Sequence, residues 1–200
     1  MKLEADSIQL VYGERKVLSD IYLSIETGDC VGLIGRNGCG KSSLMKIMAG
    51  ALKAQSSSVR IDGMRVSQNS RQILLGAQDP CFPKNIALRK AQWFFKVDPD
   101  RFYNVLPMFS DRSNDVLGTF SFGERKLIES VVMLLSDAPF VLLDEPLTGI
   151  SPIQIDTIVE LIRRENSKGV LVTDQQQDLV KRICRRPYSL KSGTISALDS

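Results

Sequence analysis

The residues best suited to chemistry in this chain of 200 amino acids are a lysine and a serine that end a glycine-rich stretch. The stretch reads G-x-x-x-x-G-K-S over 35–42 and lies between an apolar run and a helical pattern. In such a loop, backbone N–H groups and the positive end of the following helix point at phosphate oxygens. Lys41 can reach the outer phosphates, and the Ser42 hydroxyl can join the ligands of a magnesium ion held by those phosphates. The residues expected to bind a nucleotide here are Gly35, Arg36, Asn37, Gly38, Cys39, Gly40, Lys41, Ser42 and Ser43.

A pair of acids, Asp144 and Glu145, ends an apolar run that predicts a buried strand. Beside a phosphate loop, Asp144 can hold magnesium through water, and Glu145 can orient or deprotonate an attacking water. The chain contains no histidine, so Ser-His-Asp and Cys-His nucleophiles and histidine-ligated zinc are excluded. Any catalysis must therefore use carboxylates, lysine, amides and a metal ion.

Alternating apolar runs and helical patterns supply the elements that must position these residues. Strands are expected at 3–12, 17–25, 30–34, 72–77, 140–144 and 169–173. Helices are expected at 43–49, 121–135 and 153–165. The run at 59–66 predicts a hairpin that turns at Asp62 and Gly63.

The segment at about 83–117 differs in character and is expected to be a small helical insertion. We expect a single domain over 1–200, with a core formed by 1–82 and 118–200. The aromatic residues at 93–95 are expected to pack in the core, with a partner contact as the alternative.

Two positions have both a structural and a functional interpretation. Tyr12 could stack on a nucleotide base, but the alternation of its strand alone favours a place on the buried face. Ser121 and Glu124 have the spacing of a capping box at the start of a helix. The same helix end also favours a phosphate, because the hydroxyl, the backbone amides and the helix dipole all attract negative charge.

Composition limits the class of protein. The apolar and charged fractions, 43% and 24%, are those of a globular domain, and the net charge of +3 does not suggest a nucleic-acid partner. The four cysteines show no C-x-x-C spacing and are expected to be reduced thiols in the cytosol. The amino terminus is acidic, and no apolar run reaches the roughly 18 residues that span a bilayer. We therefore expect a cytoplasmic protein.

Taken together and in this order, the motifs resemble those of an ATP-binding cassette (ABC) nucleotide-binding subunit, over essentially the whole chain. The stretch at 35–42 matches the Walker A motif, 120–124 the signature sequence, and 140–145 Walker B with its catalytic glutamate. The resemblance implies an α/β fold with a P-loop NTPase core, in which helices flank a mostly parallel sheet. It also implies an N-terminal antiparallel β subdomain, a short helical insertion, and hydrolysis of ATP with Mg²⁺.

The same resemblance implies roles for single residues. Tyr12 matches the aromatic residue that stacks on the base, and Gln78 matches the glutamine that contacts magnesium and senses the transporter. Ser121, Gly123 and Glu124 fall in the signature, whose serine and glycine close over ATP bound by a head-to-tail partner. The implied magnesium ligands are Ser42, Gln78 and Asp144, and the implied catalytic residues are Lys41, Glu145 and Gln175.

Three features depart from the family pattern. Phe120 and Phe122 stand where leucine and glycine are usual, and Ser151 stands where an aspartate is common. The switch histidine is missing; by position Gln175 takes its place, with Asp174 as the other match. A glutamine amide can donate a hydrogen bond to a phosphate oxygen but cannot carry a proton or a positive charge. We therefore expect slow hydrolysis.

The leading functional interpretation is an energy-coupling ATPase subunit on the cytoplasmic face of a membrane. Its expected partners are a second ABC subunit, identical or different, and a separate transmembrane permease. The main alternative is an ATP-gated regulatory or degenerate subunit with little hydrolysis, as one half of a heterodimer. A cassette of DNA repair or translation fits less well, because the sequence shows no coiled-coil insertion and no strongly basic surface. A small-molecule P-loop kinase would not explain 121–124.

Overall fold

The computed structural model describes residues 1–67, 70–174 and 177–198. Within these ranges the strands are β1 (Lys2–Tyr12), β2 (Arg15–Glu26), β3 (Cys30–Ile34), β4 (Ser56–Ile61), β5 (Met64–Arg65), β6 (Ile73–Gly76), β7 (Phe140–Asp144), β8 (Gly169–Thr173), β9 (Arg186–Lys191) and β10 (Thr194–Ala197). The α-helices are α1 (Lys41–Met48), α2 (Leu88–Phe94), α3 (Pro99–Val105), α4 (Phe122–Leu135), α5 (Pro152–Arg164) and α6 (Gln177–Ile183), and short 3-10 helices cover Pro107–Arg112 and Leu117–Thr119. As far as these ranges go, no helix is long and apolar enough to cross a membrane.

The amino-terminal strands form a four-stranded antiparallel sheet in the order β2-β1-β4-β5. Leu3 pairs with Ile25 on one side and with Ile61 on the other, and all three side chains are buried. Asp62 and Gly63 have φ values of 49° and 79°, which a two-residue type I′ hairpin turn requires. The predicted hairpin and the predicted antiparallel subdomain are both confirmed.

A second sheet of six strands, in the order β10-β9-β3-β8-β7-β6, carries the acid pair and the phosphate loop. Its strands are parallel except for β10, which pairs antiparallel with β9. Every residue of β7 and β8 is buried, as in a parallel sheet that is covered on both faces. The carboxyl ends of β3, β6, β7 and β8 meet at one edge, where α/β sheets bind ligands.

Different elements cover the two faces of the parallel sheet, and β7 contributes to both. Phe140 and Leu142 pack in the hydrophobic cluster formed with α1 and the antiparallel sheet. Val141 and Leu143 pack in the cluster formed with α4, α5, α6 and the segment between β6 and α4. The predicted α/β architecture, with helices flanking a mostly parallel sheet, is confirmed.

The segment between β6 and α4 leaves and rejoins the core at neighbouring points. The Gly118 N–H donates to the Lys84 carbonyl oxygen, and the Leu117 N–H donates to the Ile86 carbonyl oxygen, both at 2.8 Å. The two ends of the segment therefore lie side by side. We retain 83–117 as the proposed bounds of the helical insertion.

The predicted core position of the aromatic residues at 93–95 is wrong for two of them. Trp93 is 79% exposed and Phe94 is 56% exposed. The helix α2 has only seven residues and buries Leu88, Ala91 and Gln92. The two positions that come next, 93 and 94, therefore lie on its outer face.

Candidate functional site

The phosphate loop joins the end of β3 to the start of α1 in a compact turn. Gly40, the N-cap of α1, has a φ of 114°, in the left-handed region that favours glycine. A Cβ at Gly40 would lie 3.0 Å from side-chain carbons of Val17 and Leu18. Glycine therefore lets the loop pack closely against β2. The Leu44 N–H donates to the Gly40 carbonyl oxygen at 2.9 Å, so the helix begins directly after the loop.

The side chain of Lys41 is buried and held over the loop. Its Nζ donates to the carbonyl oxygens of Gly35 at 2.8 Å and Arg36 at 3.4 Å. An ammonium has three N–H donors, so it can also bind a phosphate oxygen beside these carbonyls. Arg15 Nη2 donates to the Gly38 carbonyl oxygen at 3.2 Å and ties the loop to β2.

A cleft of about 410 Å³ lies over this loop. Its lining includes Tyr12, Ser42, Gln78 and Glu145, so the structure brings the predicted aromatic residue, the loop, the glutamine and the second acid together. Tyr12 is 55% exposed, and the buried position favoured by strand alternation is wrong. The pairing register of β1 with β2 shifts between Leu10 and Val11. This shift breaks the alternation of buried and exposed side chains before Tyr12.

The two acids lie where β7 meets β8, and Thr173 contacts both. The Thr173 hydroxyl donates to Asp144 Oδ1 at 2.7 Å, and Asp144 is buried. The Glu145 N–H donates to the Thr173 carbonyl oxygen at 2.9 Å and to its hydroxyl oxygen at 3.2 Å. Gln78 Nε2 donates to Glu145 Oε2 at 3.2 Å, so the glutamine after β6 contacts the acid after β7.

A buried lysine of α4 holds the backbone of Glu145. Glu145 has a φ of 49°, a conformation that is uncommon for residues other than glycine. Lys126 is buried, and its Nζ donates to the Glu145 carbonyl oxygen. Burial lowers the pKa of Lys126, while the carboxylates of Glu145 and Asp144 oppose that shift.

Sequence reasoning missed both Lys126 and Thr173 as residues of the site. A lysine in an amphipathic helix is normally assigned to the solvent face, and a threonine in an apolar run is normally assigned to the strand core. The sequence marked these two residues only by their positions relative to the motifs. Lys126 lies two residues after the signature motif, and Thr173 ends a buried strand of the same kind as the strand that Asp144 ends.

The predicted magnesium ligands have suitable donor atoms, but only two of them line the cleft. Ser42 and Gln78 line it with a hydroxyl and an amide oxygen, whereas Asp144 is buried directly before Glu145 and does not line it. Hydroxyl, amide and carboxylate oxygens are hard donors of the kind that Mg²⁺ prefers. Within the described ranges no group of three or more histidine, cysteine, aspartate or glutamate residues could hold a metal ion. Mg²⁺ commonly uses one or two carboxylates together with water and substrate phosphates. The donor set therefore suits an ion that binds together with a nucleotide.

Ser121 caps α4 in the predicted capping box. Its hydroxyl oxygen accepts from the Glu124 N–H at 3.2 Å, and Glu124 Oε2 accepts from the Ser121 N–H at 2.7 Å. This prediction is confirmed. In the part of the chain that the structure describes, neither residue lies along the cleft over the phosphate loop, and nor does Gly123. The signature is therefore not brought to the nucleotide cleft of its own chain.

The two phenylalanines of the signature have different surroundings. Phe120 is buried, with the Arg112 guanidinium 3.8 Å from the centre of its ring. Phe122 is 43% exposed and lies over Gly149. A Cβ at Gly123 would lie 2.2 Å from the Gly149 carbonyl oxygen, so only glycine fits at position 123.

The proposed switch position, Gln175, lies outside the described residues. Asp174, the other match, is buried, and its Oδ2 accepts from the Leu147 N–H at 3.4 Å. Asp174 thus links the end of β8 to the segment that follows the acid pair. Ser151 forms a second capping box with Gln154 at the start of α5, and serine and aspartate are both favoured at such a cap.

Comparisons with known proteins show what this chain is similar to. A family model described as "ABC transporter" matches residues 18–148. The branched-chain amino acid transport ATP-binding protein BraG of Pseudomonas aeruginosa is 28% identical, over 99% of this chain and 92% of its own. The lipopolysaccharide export ATP-binding protein LptB of Haemophilus influenzae is also 28% identical, over 98% and 89%.

Solved structures share the fold at lower identity. An ATP-binding subunit of an ABC transporter superposes with a TM-score of 0.87 at 22% identity, covering 100% of this chain and 91% of the other. A dimeric ATP-binding cassette bound to ADP and Pi superposes with a TM-score of 0.83 at 17% identity, covering 99% of both chains.

Proposed function

Because this chain belongs to the ABC transporter family, we propose that it binds and hydrolyses ATP and thereby powers a membrane transporter. The observation that carries the proposal is one cleft that holds both the phosphate loop with Lys41 and the Gln78–Glu145 hydrogen bond. Lys41, which can bind a phosphate, and Glu145, the candidate base, thus face the same cleft, where one nucleotide could contact both. The names of BraG and LptB, which refer to transport and export, support this role over that of a DNA-repair cassette.

In this proposal the nucleotide lies along the cleft from Tyr12 to Glu145. Tyr12 stacks on the base, and the loop and first helical residues at 35–43 bind the phosphates through their N–H groups. Ser42, Gln78 and Asp144 would hold Mg²⁺, which when bound neutralises phosphate charge. Thr173 keeps the Asp144 carboxylate oriented through its hydrogen bond.

Glu145 is the residue that we assign to the attacking water. Its carboxylate orients the water and can accept its proton. Gln78, at 3.2 Å from Oε2, keeps that carboxylate on the cleft side. Lys126 and Thr173 fix the backbone from which the carboxylate projects.

A second ABC subunit completes the site in this proposal. Ser121 and Gly123 lie at the amino end of α4, a helix of 14 residues, where a hydroxyl, amides and the helix dipole favour a phosphate. Since they do not line the cleft of their own chain, a head-to-tail partner presents them to the outer phosphate. The partner is a second copy or a different ABC subunit.

The docking site for a separate transmembrane permease is the exposed aromatic groove of the insertion. Trp93 and Phe94 border an apolar cleft of about 800 Å³, whose wall includes Phe82, Ile86 and Phe95. An apolar groove of this size suits the apolar face of a helix. Docking there would hold the chain at the cytoplasmic face of a membrane through the permease alone.

The second candidate is an ATP-gated regulatory subunit of a heterodimer with little hydrolysis. Gln175 and Ser151 favour it, because both replace residues that the family usually carries. Under the leading proposal hydrolysis is slow but present, Gln175→Ala slows it further, and Gln175→His accelerates it. A regulatory subunit shows negligible turnover in all three forms.

ATP binding and turnover by the purified chain test the proposal. We expect turnover that requires Mg²⁺ and that Glu145→Gln abolishes while binding of a fluorescent ATP analogue remains. Lys41→Ala should lose the binding itself. If the wild-type chain turned over ATP at a rate typical of the family and Gln175→Ala left that rate unchanged, position 175 would have no role. A wild-type chain that binds no ATP would overturn both candidates.

A further inference from the structure

Two thiols outside the nucleotide site lie against each other. Cys30 is the first residue of β3, and Cys184 directly follows α6. Their Sγ atoms are 2.8 Å apart although the residues are 154 positions apart in the chain. The fold, and not local sequence, therefore pairs them.

The pairing results from the close packing of α6 on β3 at Gly32. A Cβ at Gly32 would lie 2.5 Å from Val180 Cγ1 and 3.3 Å from Cys184 Cβ. The Cys184 N–H donates to the Val180 carbonyl oxygen at 2.9 Å, so Cys184 continues the last turn of α6. Cys184 thus rests on the strand two residues from Cys30, because position 32 has no side chain.

The two cysteines differ in access. Cys30 is half-buried and Cys184 is buried, and both line a cavity of about 470 Å³ between β3, α5 and α6. Contact with Cys30 and burial raise the pKa of the Cys184 thiol well above its ordinary value. Because Cys30 is the more exposed of the two, it is the sulfur that a small molecule in the cavity meets first.

We propose that Cys30 and Cys184 are an oxidation site that takes a hydroperoxide and forms an intramolecular disulfide. The Cys30 sulfur attacks a peroxide oxygen, the O–O bond breaks, and the other oxygen leaves with a proton as water or an alcohol. The Cys184 sulfur then attacks the sulfenic sulfur of Cys30, the S–O bond breaks, and the hydroxyl leaves with the Cys184 proton as water. The pair loses two electrons and two protons to one peroxide.

The other two cysteines are placed differently. Cys39 lies in the phosphate loop, and Cys81 Sγ lies 3.5 Å from Glu129 Oε2. Among the described residues, the only contact between two cysteine sulfurs is that of Cys30 with Cys184. The expected product is therefore one defined disulfide rather than a mixture.

The test is mass spectrometry of the full chain after treatment with hydrogen peroxide under native conditions. Remaining thiols are alkylated, and the protein is digested without reduction. We expect a peptide containing Cys30 linked to one containing Cys184, loss of two of the four free thiols, and reversal by dithiothreitol. Because the bond closes a long loop, the oxidised protein should melt roughly 5–15 °C higher than the reduced protein.

Matched variants make the test specific. Cys81→Ser should keep the link, whereas Cys184→Ser should lose it and leave a sulfenic acid on Cys30 that dimedone captures. A link that joins Cys39 or Cys81 instead would overturn the proposal. The proposal would also be overturned if Cys81 were oxidised while Cys30 and Cys184 remained free thiols that the alkylating agent modifies.

Discussion

The position of the Glu145 carboxylate depends on residues outside its own motif. Its left-handed backbone, with a φ of 49°, costs on the order of 1–3 kcal/mol. Thr173 accepts the Glu145 N–H, and Lys126 donates to the Glu145 carbonyl oxygen. These two contacts offset the cost and fix the direction in which the side chain leaves the strand.

Lys126→Met should therefore lower kcat more than it changes KM for ATP. The substitution keeps an apolar stem but removes the donor to Glu145, while the phosphate loop is untouched. A displaced base lowers kcat roughly tenfold to a hundredfold. Steady-state hydrolysis at saturating Mg²⁺ and ATP measures the effect, and Lys126→Arg should retain part of the rate.

Lys168→Met is the matched control for that prediction. Lys168 is also buried, donates to the carbonyl oxygens of Ser136 and Ala138, and has its pKa lowered by burial. Its loss should reduce stability but leave the kcat of the folded fraction unchanged. Equal losses of kcat in the two variants would contradict a specific role for Lys126.

Thr173→Val should weaken the proposed magnesium site. The variant keeps the shape of the side chain but removes the hydroxyl that donates to Asp144 at 2.7 Å. Loss of an outer hydrogen bond to a metal ligand typically costs about 10-fold to 100-fold in affinity. We expect a corresponding rise in the Mg²⁺ concentration for half-maximal turnover, and a destabilisation of about 1–3 kcal/mol. Thr173→Ser keeps the donor and should behave like wild type. If Thr173→Val and the wild type needed the same Mg²⁺ concentration, the role of Thr173 in the magnesium site would be refuted.

Residues were predictable where their chemistry is carried by spacing along the chain. Lys41, Ser42, Asp144 and Glu145 belong to such motifs, and their roles remain proposals that the variants above test. Lys126 was not predictable, because its contact exists only once α4 packs beside the end of β7.

The helices α4 and α5 both begin with a capping box, but we expect the two caps to have different roles. Ser121 and Glu124 cap α4, and Ser151 and Gln154 cap α5. The first cap belongs to the signature and should face the nucleotide of a partner. The second follows the acid pair and has a structural role in this proposal.

Ser121→Ala and Ser151→Ala should each cost about 1 kcal/mol of stability, since each removes an N-cap hydroxyl. Urea unfolding measures this loss of stability. Only Ser121→Ala should also weaken ATP-dependent dimerisation, as followed by sedimentation in the Glu145→Gln background. A comparable loss of dimer in both variants would mean that the caps act through stability alone.

Elements were predictable where the hydrophobic pattern was long or uniform. Fully apolar runs became β3, β7 and β8, and the hairpin at Asp62 and Gly63 followed from its turn residues. The order of β3, β8 and β7 in the sheet is a tertiary property that no local pattern contains. The exposure of Trp93 was missed because α2 is too short to show a clear apolar face.

Across the whole molecule, α4 connects three of the proposed functional regions. Its amino end is the Ser121 cap, and Lys126 reaches Glu145. One turn further, the Glu129 carboxylate accepts from the backbone N–H groups of Cys81 and Phe82, at 2.9 and 2.8 Å. A single rigid helix therefore links the signature, the acid pair and the wall of the aromatic groove.

Trp93→Ala should reduce co-purification with a membrane permease and leave turnover by the isolated chain unchanged. Trp93 is 79% exposed, so its loss should cost little stability. Met64→Ala is the control, because Met64 is 74% exposed but lies on the antiparallel sheet. Equal recovery of the permease with both variants would argue against docking at the groove.

For two identical subunits, we expect one chain to hold only half of a nucleotide site and a second copy to supply the rest. The mass of Glu145→Gln in solution with Mg²⁺ and ATP, measured by sedimentation, tests it most directly. We expect a dimer of twice 22.2 kDa that forms only with ATP and is lost in the double variant with Ser121→Ala. A chain that binds ATP and still sediments at 22.2 kDa would contradict it.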